Sequence, residues 1–396
     1  MSGYTKHMCD NDVTKAKNDL NKFLTSITPL LPYEYDFRVI LDLLYKYYPY
    51  EMFLIDEKYK YYCAKEKSII SKDKKSRYDF KSLNNLIKSL SIYNKLISDE
   101  YKIKHQEKFD ESKYCMNIEA LSAKRDPKIR RIIDKIEKAK LRTQQVEPEF
   151  IDSLIGLYDK KNTSQKDKVH IIKELEKYYC HKVIRFFSKK VDTEYNSQLR
   201  EMTFFHLQSL GFQPVLRKQK YMRIPSKNKK RRDFLKNVYA KERYNIKEIP
   251  QELEYRIEIS REQRIKTYDF FISHSSVDYD VVQKLIQHLN KSGKNIYCDW
   301  INDNDYLKRH LVGDATLNVI IKRLQQSKEL IFIISNNSVK SSWCKYELND
   351  FYQQQKVIYF IKREDVQNGI FEYYKYDSNW FIDPLYKEMD LFGVKT

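Results

Sequence analysis

Glycine is scarce in this chain: seven in 396 residues, at Gly3, Gly156, Gly211, Gly293, Gly313, Gly369 and Gly393. No two lie within a few residues of each other. The loops G-x-G-x-x-G and G-x-x-x-x-G-K-S/T need closely spaced glycines so that backbone N–H groups can approach a phosphate. Their absence excludes an ordinary P-loop ATPase and a Rossmann dehydrogenase. Cysteine is sparse too. Cys9, Cys63, Cys115, Cys180, Cys298 and Cys344 include no C-x-x-C pair, which fits free thiols better than a disulfide frame or a zinc site. The eight histidines form no H-E-x-x-H, so a zinc protease is not supported. No apolar run approaches the ~20 residues of a membrane helix. The opening MSGYTKHMCDND has no apolar signal region. The expectation is a cytoplasmic protein with no metal, no cofactor and no membrane anchor.

Positive charge is abundant but uneven. The net charge is +19, from 74 Lys and Arg against 55 Asp and Glu. Residues 261–396 hold 19 basic against 18 acidic side chains, and residues 1–260 hold 55 against 37. An excess confined to one region suggests a polyanionic partner or an acidic surface there. The densest tract is Arg217–Arg243, with twelve Lys or Arg against Asp233 and Glu242. Arg217, Lys218, Lys229, Lys230, Arg231 and Arg232 are its nucleic-acid candidates. Tyr221, Phe234, Tyr239 and Tyr244 interleave with the cations, a mixture suited to single-stranded nucleic acid. A solvated basic helix or hairpin explains the same composition.

The length allows two or three domains. Up to residue 260 the apolar residues recur at helical spacing: Phe37, Ile40, Leu41 and Leu44; Leu83, Leu86, Ile87 and Leu90; Val169, Ile172 and Leu175; Val183, Phe186 and Phe187. SKDKKSR (71–77) and DKKNTSQKDK (159–168) read as loops, and RDPKIRR (125–131) as a helix start at Pro127. Beyond Arg264 the pattern changes. TYDFFIS (267–273), KNIYCDW (294–300), ELIFIIS (329–335) and KVIYFIK (356–362) read as strands. Helices fall between them, over 278–289 before Gly293, over 314–326, and from an N-cap at Ser341 or Ser342. Alternating strands and helices imply a parallel sheet with helices on both faces.

YDFFISHSSVD resembles the first box of TIR (Toll/interleukin-1 receptor) domains. IYCDW with the polar stretch to Gly313 is similar to their second strand and BB loop, and SSWCKYEL (341–348) to their S-x-W-C-x-x-E-L element. DWINDNDYLKRHLVGDAT resembles bacterial TIR proteins of phage defence, including the Thoeris type. The resemblance implies a flavodoxin-like α/β TIR domain over 265–396. A mostly helical, basic sensing or assembly region over 1–264 would precede it, with 217–264 as basic tract and connector.

The same resemblance implies an NAD⁺-cleaving enzyme, with NAD⁺ as substrate and Glu347 at the position of the essential carboxylate. Ser273, His274, Ser275, Ser276, Asp299, Trp300, Ile301, Arg309 and Trp343 would line the NAD⁺ site. Ser275 and Ser276 stand where an animal NAD⁺-cleaving member carries arginines, which leaves Arg309 and Lys308 as phosphate partners. Nicotinamide leaves as a neutral molecule, so no strong general acid is required. The ribose becomes oxocarbenium-like, as in glycosidases, and a carboxylate can stabilise it. Water as nucleophile gives ADP-ribose; internal attack gives a cyclic isomer. TIR enzymes are also expected to assemble as homo-oligomers through TIR–TIR contacts. Bland alternatives stand beside these roles. Glu347 could be a surface carboxylate favoured by a helix dipole, Trp343 a packing residue, and His274 a strand-end residue. A non-catalytic TIR adaptor and a nucleic-acid-binding TIR protein are the competing functions.

Overall fold

The computed structural model describes residues 4–71, 75–216, 219, 222, 224 and 226–376. Packing divides the chain into Met1–Ile136 with Gly211–Gln213, and Glu137–Leu210 with Pro214–Thr396.

Helical periodicity builds the first unit. Asp36 caps Phe37–Tyr47 by accepting from the Val39 N–H at 2.9 Å. Ile40, Leu44 and Tyr47 form the buried stripe of that helix. They pack with Leu20, Leu24 and Ile27 of Tyr4–Ile27 and with Met52 and Ile55 of Pro49–Ile70. Each such side chain contributes about 1.5–3 kcal/mol when fully buried. Pro127 does not start a helix; it lies inside Glu111–Lys140. A proline removes one backbone hydrogen bond, and a helix of this length retains the others.

The second unit opens with helices Ile151–Tyr158, Gln165–Leu175, His181–Thr193 and Ser197–Ser209. Ser164 caps the second of these, so the expected loop ends at 164. The α/β pattern then begins at Tyr268, as the sequence indicates. Strands β1 (Tyr268–Ser273), β2 (Ile296–Tyr297), β3 (Ser327–Ile334), β4 (Ile358–Lys362) and β5 (Tyr374–Lys375) form one sheet in the order β2-β1-β3-β4-β5. The first four are parallel, and β5 adds an antiparallel edge, which the sequence reading did not include. β3 is apolar throughout its centre because both faces are covered. Leu330, Phe332 and Ile334 pack toward Leu324, Leu348 and Phe351, while Ile331 and Ile333 pack toward Val282, Leu285 and Ile286. Gly293, at φ +75°, ends Tyr279–Lys291 in the left-handed region that glycine adopts without strain.

The composition change at Arg264 is not the packing boundary, since residues 137–210 and 214–264 share one unit with the sheet. Buried polar groups join them. Glu174 accepts from Lys266 at 2.7 Å, Lys177 at 2.8 Å and Gln263 at 2.8 Å. Arg323 donates to Asp303 at 2.7 Å and to Gln263 at 2.9 Å. Burial alone would raise the Glu174 carboxyl, but the Lys177 and Lys266 ammonium groups hold it well below the usual range.

Candidate active site

The strand order places a topological switch between β1 and β3. Connections leave these neighbours toward opposite edges, which opens a crevice at their carboxyl ends. Ser273, the last residue of β1, faces that crevice region with no solvent exposure. Across from it runs the helix Ser342–Gln353. The Ser341 hydroxyl caps this helix by accepting from the Cys344 N–H at 3.3 Å. Cys344, Leu348 and Phe351 are buried at i, i+4 and i+7 and fix its rotation. Glu347, at i+3, therefore lies on the edge of the same inward stripe. The Ser273 hydroxyl donates to Glu347 Oε2 at 2.6 Å. Glu347 is thus half-buried and held from the strand end, in its helix's second turn.

Burial pushes the Glu347 carboxyl up to about 8; the Ser273 hydrogen bond opposes this and the Asp299 charge adds to it. A cation brought into the crevice would favour the ionised form. The neighbouring thiols are not activated. Burial pushes Cys344 up to about 12 and Cys298 well above the usual thiol range.

His274, directly after β1, places Nδ1 3.0 Å from the carbonyl of Ile272. A carbonyl can only accept, so Nδ1 carries a hydrogen, and in the neutral ring Nε2 holds the lone pair. That Nε2 lies 3.9 Å from Asp299 Oδ1. Asp299 opens the short helix Asp299–Asn302 and accepts from the Trp300 N–H at 2.9 Å. The Trp300 ring packs on Tyr279, with centroids 4.5 Å apart, and its buried indole N–H has no hydrogen-bond partner among the described residues. Tyr279 and Asp278 escaped the sequence reading. Asp278 is fully buried, accepts from the Ser335 hydroxyl at 2.5 Å and pairs with Arg363 at 3.0 Å, which anchors the loop after β1. An acid and an aromatic directly after the FISHSS box are the only sequence signal these two offer.

The structure thus brings Ser273, His274, Asp299 and Glu347 together at the strand ends, with Trp300 beside them. Other candidates go elsewhere. Ser275 accepts from the Val277 N–H at 3.5 Å and caps the turn Ser276–Asp278, and Ser276 is exposed. Ile301 packs in the core with Cys298, Leu285 and Ile296, so it does not line an open site. Lys308 pairs with Glu248 at 2.8 Å. Arg309 lies in the turn Arg309–Leu311, and its side chain is outside the described residues. Trp343 is 37% exposed.

In the basic tract, Arg217, Lys218 and Tyr221 lie outside the described residues. Lys229, Lys230, Arg231 and Arg232 occupy the helix Lys229–Phe234, capped by Asn228. Tyr239 does not offer a stacking face. It is buried and its hydroxyl donates to Glu194 at 3.0 Å. Phe234 is exposed beside the cations. No helix among the described residues is long and apolar enough to cross a membrane.

Comparison with known proteins identifies the family. The family model described as "TIR domain" matches residues 270–381. The "Putative cyclic ADP-D-ribose synthase TIR2" of Cytobacillus dafuensis is 35% identical over 369 residues, covering 93% of this chain and 94% of that protein. The "Probable 3' cyclic ADP-D-ribose synthase ThsB'" of Bacillus cereus is 38% identical over 86 residues, 22% of this chain and 44% of its own length. The "NAD(+) hydrolase TcpC" of Escherichia coli is 28% identical over 151 residues, 37% and 46% of the two chains. No solved structure matches. The chain belongs to the TIR-domain proteins.

Proposed function

We propose that this TIR-domain protein cleaves the ribose–nicotinamide bond of NAD⁺, with Glu347 as the carboxylate that stabilises the transition state. The observation that carries this reading is the hydrogen bond from Ser273 to a half-buried Glu347 at the switch point of the sheet. As the bond to nicotinamide breaks, its electron pair leaves with the pyridine nitrogen and neutralises the ring. Positive charge moves onto the ribose, where an ionised carboxylate opposes it at close range. The raised affinity of Glu347 for a proton is offset by the substrate itself, because the nicotinamide ring arrives as a cation. The Ser273 hydrogen bond fixes which oxygen faces the ribose. Trp300 on Tyr279 offers an aromatic wall for a planar ring.

The relative that matches along almost the whole chain carries the name of a cyclic ADP-D-ribose synthase, so the favoured product is a cyclic isomer formed by internal attack at the ribose carbon. ADP-ribose is the outcome when water attacks instead. The ThsB' match supports a role in bacterial anti-phage defence. Activity would require homo-oligomer assembly, with Trp300 near the shared pocket. Dilution and Trp300→Ala would then each lower turnover, and turnover unaffected by both would reject assembly.

The deciding experiment incubates the full chain with NAD⁺ and separates the products by chromatography and mass spectrometry. Nicotinamide is expected to appear with a cyclic ADP-ribose isomer, and Glu347→Gln is expected to abolish both. Unchanged nicotinamide release by that variant would reject the catalytic assignment and favour a TIR adaptor.

A further inference from the structure

We propose that His274, Cys298 and Asp299 form a site for a borderline-soft divalent cation, zinc above all, whose occupancy blocks the crevice beside Glu347. His274 follows β1, Cys298 follows β2, and Asp299 begins the next short helix. These three are brought together only by the pairing of the two strands. Their donor atoms, Nε2, Sγ and a carboxylate oxygen, lie within 4.8 Å of one another. Two of the separations are 3.9 Å: His274 Nε2 to Asp299 Oδ1, and Cys298 Sγ to Asp299 Oδ1. Tetrahedral zinc with bonds of about 2.0–2.3 Å holds its ligands roughly 3.3–3.8 Å apart. Small side-chain shifts would close the difference, and the half-exposed Asp299 carboxylate has the freedom to make them.

A second observation is independent of that proximity. The Nδ1–H of His274 is bonded to the Ile272 carbonyl, so the ring is oriented and its Nε2 is presented to the cluster. Metal-binding histidines are oriented in this way by a backbone carbonyl or carboxylate. The donor set of imidazole, thiol and carboxylate suits zinc or cobalt and disfavours magnesium and calcium. The thiol would release its proton to solvent on binding. Three protein ligands leave the fourth position to water. Sequence spacing gave no hint of such a site, because a lone histidine and a Cys-Asp pair on different strands have no linear signature.

The consequence follows from charge. A dication held by Asp299 would sit in the region that receives the cationic nicotinamide ring in the proposed reaction, and would repel it. Occupancy is therefore inhibitory. The binding claim stands by itself; only the inhibition rests on the proposed NAD⁺ cleavage.

The test uses the full chain, stripped of metal. Cobalt(II) is added while the near-ultraviolet thiolate-to-cobalt band is followed, and nicotinamide release is measured against zinc concentration. The wild type is expected to show the band and zinc inhibition. Cys298→Ala is expected to keep metal-free turnover and lose the band. Its zinc sensitivity should fall by at least the ~10–100-fold that even an outer-shell loss costs. Cys344→Ala, which removes the other buried thiol beside Glu347, is expected to keep the band and the zinc inhibition. Asp299→Asn is expected to keep the band at weaker cobalt affinity, which tests the site if Cys298→Ala folds poorly. The proposal is overturned if the wild type shows no thiolate band, if Cys298→Ala binds cobalt and is inhibited like wild type, or if Cys344→Ala is the variant that loses both. A chain that shows the band but cleaves no NAD⁺ would keep the site and reject the proposed function.

Discussion

Glu347 should destabilise the protein that carries it, and the penalty should depend on pH. Its carboxyl titrates near 4.5 when exposed and is pushed up to about 8 in the fold by burial. Since the folded value is the higher one, the native state keeps the proton when the unfolded chain has lost it. Stability is then fully present below about 4.5 and falls as pH rises through 8. At about 1.4 kcal/mol per pH unit, the interval is worth up to ~5 kcal/mol. The side chain is only half-buried, and solvent at the crevice reduces this to roughly 2 kcal/mol. Glu347→Gln removes the ionisation while keeping an oxygen that can accept from Ser273. Calorimetry at a series of pH values is the assay. The variant should match wild type near pH 4.5 and unfold about 4–8 °C higher above pH 8. An unchanging gap between the two, or a variant that is less stable at pH 8, would refute the burial argument. The catalytic prediction for the same substitution runs the other way, so one residue should show stability traded for activity.

Two further outcomes follow. Asp303→Asn leaves the buried Arg323 guanidinium without its carboxylate; chemical denaturation should show a loss of about 3–5 kcal/mol, largely recovered when Arg323→Met and Asp303→Leu are combined. Replacing Lys229, Lys230, Arg231 and Arg232 by Gln should weaken binding to single-stranded nucleic acid and flatten its dependence on salt; identical salt slopes for the variant and wild type would identify that helix as a merely solvated face.

Local chemistry made much of the TIR core legible. The apolar run Leu330–Ile334 reads as a strand covered on both faces, and it forms the centre of β3. Ser341 followed by an apolar stripe marks a helix start, and it caps by its own side chain. Features that depend on distant partners were not legible. β2 shrinks to Ile296–Tyr297 because Asp299–Asn302 winds into a helix once Asp299 accepts from its neighbour's N–H. β5 is two residues long and owes its existence to β4. Tyr239 reads as an exposed aromatic among cations, yet Glu194 and Lys168 bind its hydroxyl inside the unit. At the site, Glu347 and Ser273 were named from motifs, whereas Tyr279 enters only because the chain folds it under Trp300.

The buried charges explain why composition and packing divide the chain at different places. Composition changes at Arg264 because the sheet needs apolar strands and the helices before it do not. Packing follows where charges are neutralised. Glu174 and Lys177 come from the helical segment, Lys266 from just before β1, and Asp303 and Arg323 from beyond β2, all with little or no exposure. A buried ion without its partner costs several kcal/mol, so neither side of this cluster can lose the other cheaply. Asp303 also reaches the site. Its N–H donates to the Asp299 carbonyl at 2.8 Å, and its carboxylate accepts from the Tyr297 hydroxyl at 3.1 Å. The helix that carries Asp299 and Trp300 is therefore held from behind by Asp303, which pairs with Arg323 at 2.7 Å and with Lys177, from before residue 264, at 3.6 Å. Residues 137–210 and 214–264 pack in the unit that positions the site, and a TIR match over 270–381 marks only the sheet half of it.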